Sequence, residues 1–443
     1  MRIGRISFIV LFLLAFLVVP VSAETPSFPY FDTNDAGEPD ASVPVLSPWK
    51  SFPVNAAYGG IWFVAGDLNG DGAPEVVCAK NFNEGDVHYT SSVAVHRLDG
   101  SVLWTWGDPE IGRKELHHDV ACQIHDWDGD GRNEVIVLDK DALVELDGRT
   151  GKERLRIPIP KQATDSVVFC NLSGDARAET ALVKDRYNKI FAYTRDGKLS
   201  WSVENPGGYR TAHQPRPMDL DGDGIDEIFA GYAMLNADGT VRWVVQSESV
   251  DQKRGHLDCA RMMTRGDTPE QTRIAITFCG ANNLALVDGN GRIVWEMSGY
   301  HFESIDVGRM VPDEPAPQLL VDIDHRPKGE SPIWVVGGDG KPLGQIITEY
   351  SRQHRLVDWD GDGLDEFAVA DAKGLYDHTG KRIATFELPS VSGTIPHVGD
   401  LDGDGIPDLI FNSGDAVYIF RNESSKKPAR PAPLGTGHNV TLY

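Results

Sequence analysis

Five nine-residue segments place side-chain oxygens at alternate positions with glycine between them. They are Asp67-Leu-Asn69-Gly-Asp71-Gly-Ala-Pro-Glu75; Asp126 to Glu134, with Asp128 and Asp130; Asp219 to Glu227, with Asp221 and Asp223; Asp358 to Glu366, with Asp360 and Asp362; and Asp400 to Asp408, with Asp402 and Asp404. Glycine lets the backbone turn with positive φ, so the alternating oxygens crowd into one small space. Such a set suits a hard cation, and calcium takes six to eight oxygens. An EF-hand would need an acid at the twelfth position and a following helix. The twelfth residues here are Cys78, Val137, Ala230, Val369 and Phe411, and the last acid falls at the ninth position instead. The expectation is several structural calcium ions. Asn171 to Glu179 is a worn sixth copy.

Histidine supplies the second signal. Of 13 histidines, His117, His118, His213, His256, His301, His354 and His397 fall in the short stretch before a repeat loop, and His125 directly precedes one. Roughly two or three would fall there on length alone. Asp119, Tyr209, Arg210, Gln214, Arg216, Arg254, Asp258, Glu303, Arg352 and Arg355 share that phase. Imidazole, guanidinium and carboxylate groups gathered in this way suit an anionic ligand. We take His213, His256, Asp258, His301, Arg216 and Arg355 as the candidate catalytic residues, with the histidines as general base or metal ligand. Histidine is an atypical calcium ligand, so a transition metal is a further candidate there.

The elements that must position these groups repeat as well. Loop starts near 67, 126, 171, 219, 265, 307, 358 and 400 give a period in the forties, the length of one four-stranded propeller blade. Each loop leads into a short apolar run, as in Glu134-Val-Ile-Val-Leu138. A second run and a turn follow, then a third run that often holds Trp, as in Ala237-Asp-Gly-Thr-Val-Arg-Trp243. Asp-Gly between apolar runs marks a tight hairpin. The chain therefore reads as an all-β propeller of eight blades, with seven the alternative count, spanning 44–421. Its last unit lacks an outer strand, which Leu46 to Val54 would supply, so that an N-terminal strand closes the ring and hides its edges. In that frame the histidine-rich stretches enter the innermost strands at the channel mouth, opposite the calcium turns. Residues 24–43 and 422–443 read as tails.

Residues 1–23 read as a secretory signal peptide. Arg2 and Arg5 precede an apolar run, and Val21-Ser-Ala23 gives small residues at a cleavage point. The expected location is secreted or periplasmic, with no membrane insertion after cleavage. A net charge of −24 argues against nucleic acid and anionic lipid as partners. The five cysteines lie in apolar runs and read as buried thiols, with Cys259 and Cys279 the one pair placed to bridge within a blade. A monomer is expected.

The loops resemble the FG-GAP/VCBS repeats of integrin-like propellers. A narrower likeness lies in Met218-Asp-Leu-Asp-Gly-Asp-Gly-Ile-Asp-Glu227-Ile-Phe-Ala-Gly-Tyr-Ala-Met234, Asp238-Gly239 and Gly255-His256-Leu257-Asp258, which resemble the rhamnogalacturonan lyases with an eight-bladed calcium propeller. That resemblance implies a secreted enzyme that cleaves acidic polysaccharide by β-elimination at the propeller's centre, with His256 and Asp258 in its site and His213 nearby. The family's Gly-His-Gly-Asp reads Gly-His-Leu-Asp here, and no stretch fits the additional β-sandwich domain such lyases carry. The alternative is a non-catalytic propeller that binds glycans or cell-surface proteins.

Overall fold

The computed structural model describes residues 26–437 except 38, 86, 115–121, 176, 249–254, 280–281, 390–392, 425, 427 and 429–430. Residues 1–23, expected as a signal peptide, and His117, His118, Asp119 and Arg254 lie outside the described residues.

Alternating apolar runs separated by turn residues fold into eight antiparallel sheets, the blades of a β-propeller, with almost no helix. Within blades one to five the strands follow chain order from the inside out, and in blades six to eight a strand from the N-terminal segment is added outermost. The inner strands are Trp62–Gly66, Cys122–His125, Ser166–Cys170, Thr211–Met218, His256–Thr264, Phe302–Gly308, His354–Val357 and Ile395–Gly399, for blades one to eight. Inner strands of successive blades pack side by side. The second strands are almost wholly apolar and buried, as in Val76, Val77, Cys78 and Ala79, because both faces are covered by neighbouring blades.

The recurring Trp and Asp-Gly pairs join one blade to the next. The indole N–H groups of Trp104, Trp201, Trp243 and Trp295 donate to the carbonyls of Gly148, Ala237, Gly289 and Gly338 in the following blade, at 2.7–3.0 Å. Each ring lies on the hairpin glycine of that blade. A Cβ on Gly239 or Gly291 would sit 2.6 or 2.4 Å from the indole, and both residues hold a left-handed φ, of 83° and 77°. Glycine is therefore required there for the turn and for the docking of the ring.

The N-terminal segment is built into the ring. Lys50–Pro53 pairs antiparallel with Ala416–Phe420 and is the outer strand of blade eight. Phe52 from this strand packs on Gly100 of blade one. Phe31–Asn34, expected as a tail, adds a fifth, parallel strand to blade six, and Val45–Leu46, with Leu46 expected in the strand closing blade eight, adds one to blade seven instead. Parallel addition satisfies outer-strand backbone groups that water would otherwise have to satisfy. The C-terminal segment likewise lies on the side of the acidic loops. Ala432 donates to the Gly405 carbonyl, Gly435 to that of Asp400, and Thr436 to that of Ala65 in blade one.

The acidic loops share one backbone design. In four of the five the first Asp accepts N–H groups from both loop glycines, as Asp67 does from Gly70 at 2.7 Å and Gly72 at 2.9 Å, whereas Asp358 accepts from Gly363 with one oxygen and leaves the other without a hydrogen bond. One oxygen of the ninth-position acid accepts the N–H of the loop's second residue, as Glu75 does from Leu68 and Asp408 from Leu401. Cys78, Cys122, Cys170 and Cys259 are buried free thiols, so Cys259 is not bridged to Cys279.

Candidate functional site

Three inner strands depart from regular pairing, and they carry the site. Register shifts interrupt Thr211–Met218 between Thr211 and Arg216, His256–Thr264 between Leu257 and Ala260, and Phe302–Gly308 between Phe302 and Ile305. The inner strands of the other five blades pair without a shift. Bulges re-aim side chains at the cost of ladder hydrogen bonds. Here side chains make up that loss: Cys259 N–H donates to Thr277 Oγ1 at 3.0 Å, and Ser304 N–H to Asp322 Oδ1 at 2.8 Å.

The bulges on blades four and five bring His213, His256 and Asp258 together. The two Nε2 atoms lie 2.9 Å apart, and Asp258 Oδ1 is 3.1 Å from that of His256 and 3.4 Å from that of His213. All three side chains are buried, with Asp258 only 1% exposed. Burial holds the His256 imidazole below its usual range, so it stays neutral. Burial works against the charged form of Asp258, but the two imidazoles outweigh it and hold the carboxyl low. Neither oxygen of Asp258 receives a hydrogen bond of normal geometry. Leu257 points the other way, into the core with Tyr232 and Phe278. Strand alternation therefore keeps this departure from the family motif off the site face.

The other candidates are placed differently. His301 sits outside the trio, with Nε2 2.9 Å from Glu303 Oε1 and Nδ1 2.9 Å from Asn282 Oδ1. Arg216 lies further along its strand and is buried. Arg355 is opposite Asp306, at 3.8 Å, and donates to the carbonyl of His354, so its charge is already compensated inside the channel wall.

Sequence reasoning did not single out Tyr187. Its phenol oxygen is 3.4 Å from His213 Nε2, its ring lies 4.3 Å from that of His256, and the Arg210 guanidinium stacks 4.2 Å above it. Beyond it, the long hairpin of blade one brings His88 to Asp165 at 2.7 Å, and Lys184 pairs with the same carboxylate at 2.9 Å. Tyr187, Asn282 and His325 all lie in the turn between second and third strands, which opens on the same mouth as the start of the inner strand. That topological equivalence is the signal that would have found them.

Deeper in the wall, Ser304 Oγ is 2.7 Å from His354 Nε2, and His354 Nδ1 is 3.1 Å from Asp306 Oδ2. The chain has the outline of a nucleophile–base–acid relay, but its charge state is wrong for one. Burial opposes the imidazolium, yet Asp306 and Asp322 outweigh it and push His354 up to about 9. A protonated imidazole cannot accept the hydroxyl proton, so this network is structural. Its folded pKa lies above the unfolded value of about 6.5. The stabilisation is therefore complete below about pH 6.5 and is lost as pH rises through about 9, up to on the order of 3 kcal/mol. Thermal melting across that range should fall in the wild type and fall less in His354→Gln. Equal slopes would refute the assignment.

No protein-family model matches the chain. It is 25% identical to the rhamnogalacturonan endolyase YesW of Bacillus subtilis (strain 168) over 431 residues, 80% of this chain and 66% of that protein. The rhamnogalacturonan exolyase YesX of the same organism is 25% identical over 382 residues, 70% of this chain and 59% of that protein. The chain resembles the rhamnogalacturonan lyases. The crystal structure of the lyase YesW superposes with a TM-score of 0.59 at 18% identity, over 85% of this chain and 74% of that one. The V. cholerae biofilm matrix protein Bap1 gives the same TM-score at 13% identity, over 90% of this chain and 94% of that one. At these identities the structural likeness establishes the propeller fold. The chain spans less than two thirds of the length of both lyases it matches in sequence. Among the described residues no helix is long and apolar enough to cross a membrane.

Proposed function

We propose that this chain is an exported polysaccharide lyase that cleaves a uronate-containing polymer by β-elimination at the mouth of its central channel. The observation that carries the reading is the buried trio of His213, His256 and Asp258. A first-row divalent metal bound at about 2.1 Å needs ligand atoms about 3.0–3.4 Å apart, and the three spacings here are 2.9, 3.1 and 3.4 Å. A buried carboxylate without hydrogen bonds, beside a neutral imidazole, fits such an ion. When bound it would neutralise the uronate carboxylate and so acidify the neighbouring C–H.

With both imidazoles engaged as ligands, the proton work falls to another group. Tyr187 is the nearest phenol, 3.4 Å from His213 Nε2. In the elimination a base takes the proton beside the carboxylate, the electron pair forms the C=C bond, and the glycosidic C–O bond breaks as its oxygen gains a proton. Tyr187 is placed to carry one of these protons, and Arg210 is placed to attract the polymer's charge. The test is incubation of the calcium- and zinc-supplied protein with uronate polysaccharides, following the ultraviolet absorbance of new unsaturated ends. Retention of a polymer without such ends would favour the glycan-binding alternative.

We also propose that the five full acidic loops hold calcium. The loop geometry supports this, as do the grouped carboxylates of Asp126, Asp128 and Glu134 and of Asp358, Asp360 and Glu366. Burial pushes Glu134 and Glu366 up to about 7, an environment that favours a cation or a proton beside them. In blade two Arg154 reaches Asp128 at 2.6 Å and Glu134 at 2.8 Å, so that loop has a competing internal cation. Excess chelator should lower the melting temperature markedly, because calcium binds the native state alone. Asp360→Ala should lose one calcium, and Asp128→Ala should lose less, since Arg154 already shares that site. A melting curve indifferent to chelator would sink the assignment.

A further inference from the structure

A second group of metal-ligating side chains lies beside the trio, on blade six. His301 precedes the inner strand, Glu303 lies within it, and His325 follows the second strand. One donor atom from each lies within 4.8 Å of the others. The trio is close enough for the Asp258 charge to act on both His301 and Glu303.

The surroundings of these residues are those of ligands held in place. The Asn282 side-chain oxygen stands 2.9 Å from His301 Nδ1, so that nitrogen carries a hydrogen, and Nε2 shares a hydrogen with Glu303 Oε1 at 2.9 Å, which a metal ion held between the two would displace. Asp324 Oδ2 stands 3.4 Å from His325 Nδ1, the outer-shell carboxylate that orients a ligating imidazole toward its other nitrogen. The two imidazoles meet edge to face with centroids 4.2 Å apart. Glu303 is 5% exposed, and its Oε2 has no hydrogen bond. The Arg352 guanidinium stands 3.8 Å from that oxygen. His325 holds a left-handed φ of 60°, uncommon for a residue other than glycine.

We propose that His301, Glu303 and His325 form a second divalent transition-metal site, so that the channel mouth holds two adjacent metal ions. Two nitrogens and one carboxylate suit zinc, cobalt or nickel over calcium, which takes oxygen ligands. The all-oxygen loops on the opposite face therefore do not compete when calcium is in excess. The site stands whether or not the protein is a lyase.

The test is a Co(II) titration of the intact protein in excess calcium, read by visible d–d absorption and by metal analysis after gel filtration. Wild type should retain two cobalt ions per chain. His325→Ala should retain one. His325 is exposed, with 69% of its side chain accessible, so the fold is not at risk in this variant. His256→Ala should also retain one, and the double variant none. If His325→Ala keeps the wild-type count, or wild type takes up fewer than two ions while His325→Ala matches it, His301 and Glu303 are only a hydrogen-bonded pair and the proposal fails. If His325→Ala loses an ion while His256→Ala does not, the second site stands and the metal role of the trio falls.

Discussion

His256→Ala is expected to lower the release of unsaturated oligosaccharides by at least about 10²-fold, the scale of losing a metal ligand or proton carrier. The substitution removes one of the two imidazoles that face Asp258 and the ring that packs on Tyr187 at 4.3 Å. A channel-mouth histidine would ordinarily cost little stability, but this one is 8% exposed. Its loss leaves a buried carboxylate with one partner fewer, which costs on the order of 1–3 kcal/mol. The variant should therefore remain folded with a modestly lower melting temperature. Tyr187→Phe gives the sharper contrast: it keeps the ring contacts, should keep the metal, and should lose turnover with one limb of the pH–rate profile. Full activity in His256→Ala would remove the trio from the mechanism.

Deletion of residues 26–55 should abolish recovery of soluble, folded protein. The deletion removes Lys50–Pro53, the outer strand of blade eight, and both parallel strands, Phe31–Asn34 and Val45–Leu46. Three strands lose their partners at once, and unpaired edges template aggregation. It also removes Phe52, 5% exposed, from the core shared by blades eight and one. Phe52→Ala isolates that part of the effect, at about 3–5 kcal/mol for a buried aromatic. A deletion variant that melts like the full chain would show the N-terminal strands to be dispensable. Chain order makes the result more than a truncation effect, since Lys50–Pro53 joins a blade whose other strands begin more than 300 residues later.

The fold was largely legible because its information is local and repeated. A nine-residue acidic loop in five units, a buried run, and in several units an Asp-Gly turn followed by Trp recur along the chain, and each fixes a strand or turn by its own propensity. The same loops set the phase of the blades, which sent His213, His256, Asp258 and His301 to one face. Of the worn units placed by spacing, the one near Arg265 falls in the turn between first and second strands of blade five, and the one near Val307 begins at the end of the inner strand of blade six and runs into the equivalent turn.

What the sequence by itself determined is the period, the all-β propeller with its eight blades, and the end of the channel at which the histidines gather. Tertiary structure alone decided which of them meet. His213 and His256 are 43 residues apart and touch only because bulges turn neighbouring inner strands toward each other. A bulge is a property of pairing between strands, held here by Thr277 and Asp322 from adjacent strands, and no local pattern encodes it. Tyr187 enters from a different turn of a different blade, for the same reason. Arg355 shares the phase of the histidines and yet is matched by Asp306, because charge compensation in a channel wall depends on which blades face one another. The ring closes in space, so neighbours in the site are set by the order of the blades around the axis and by strand register, not by distance along the chain.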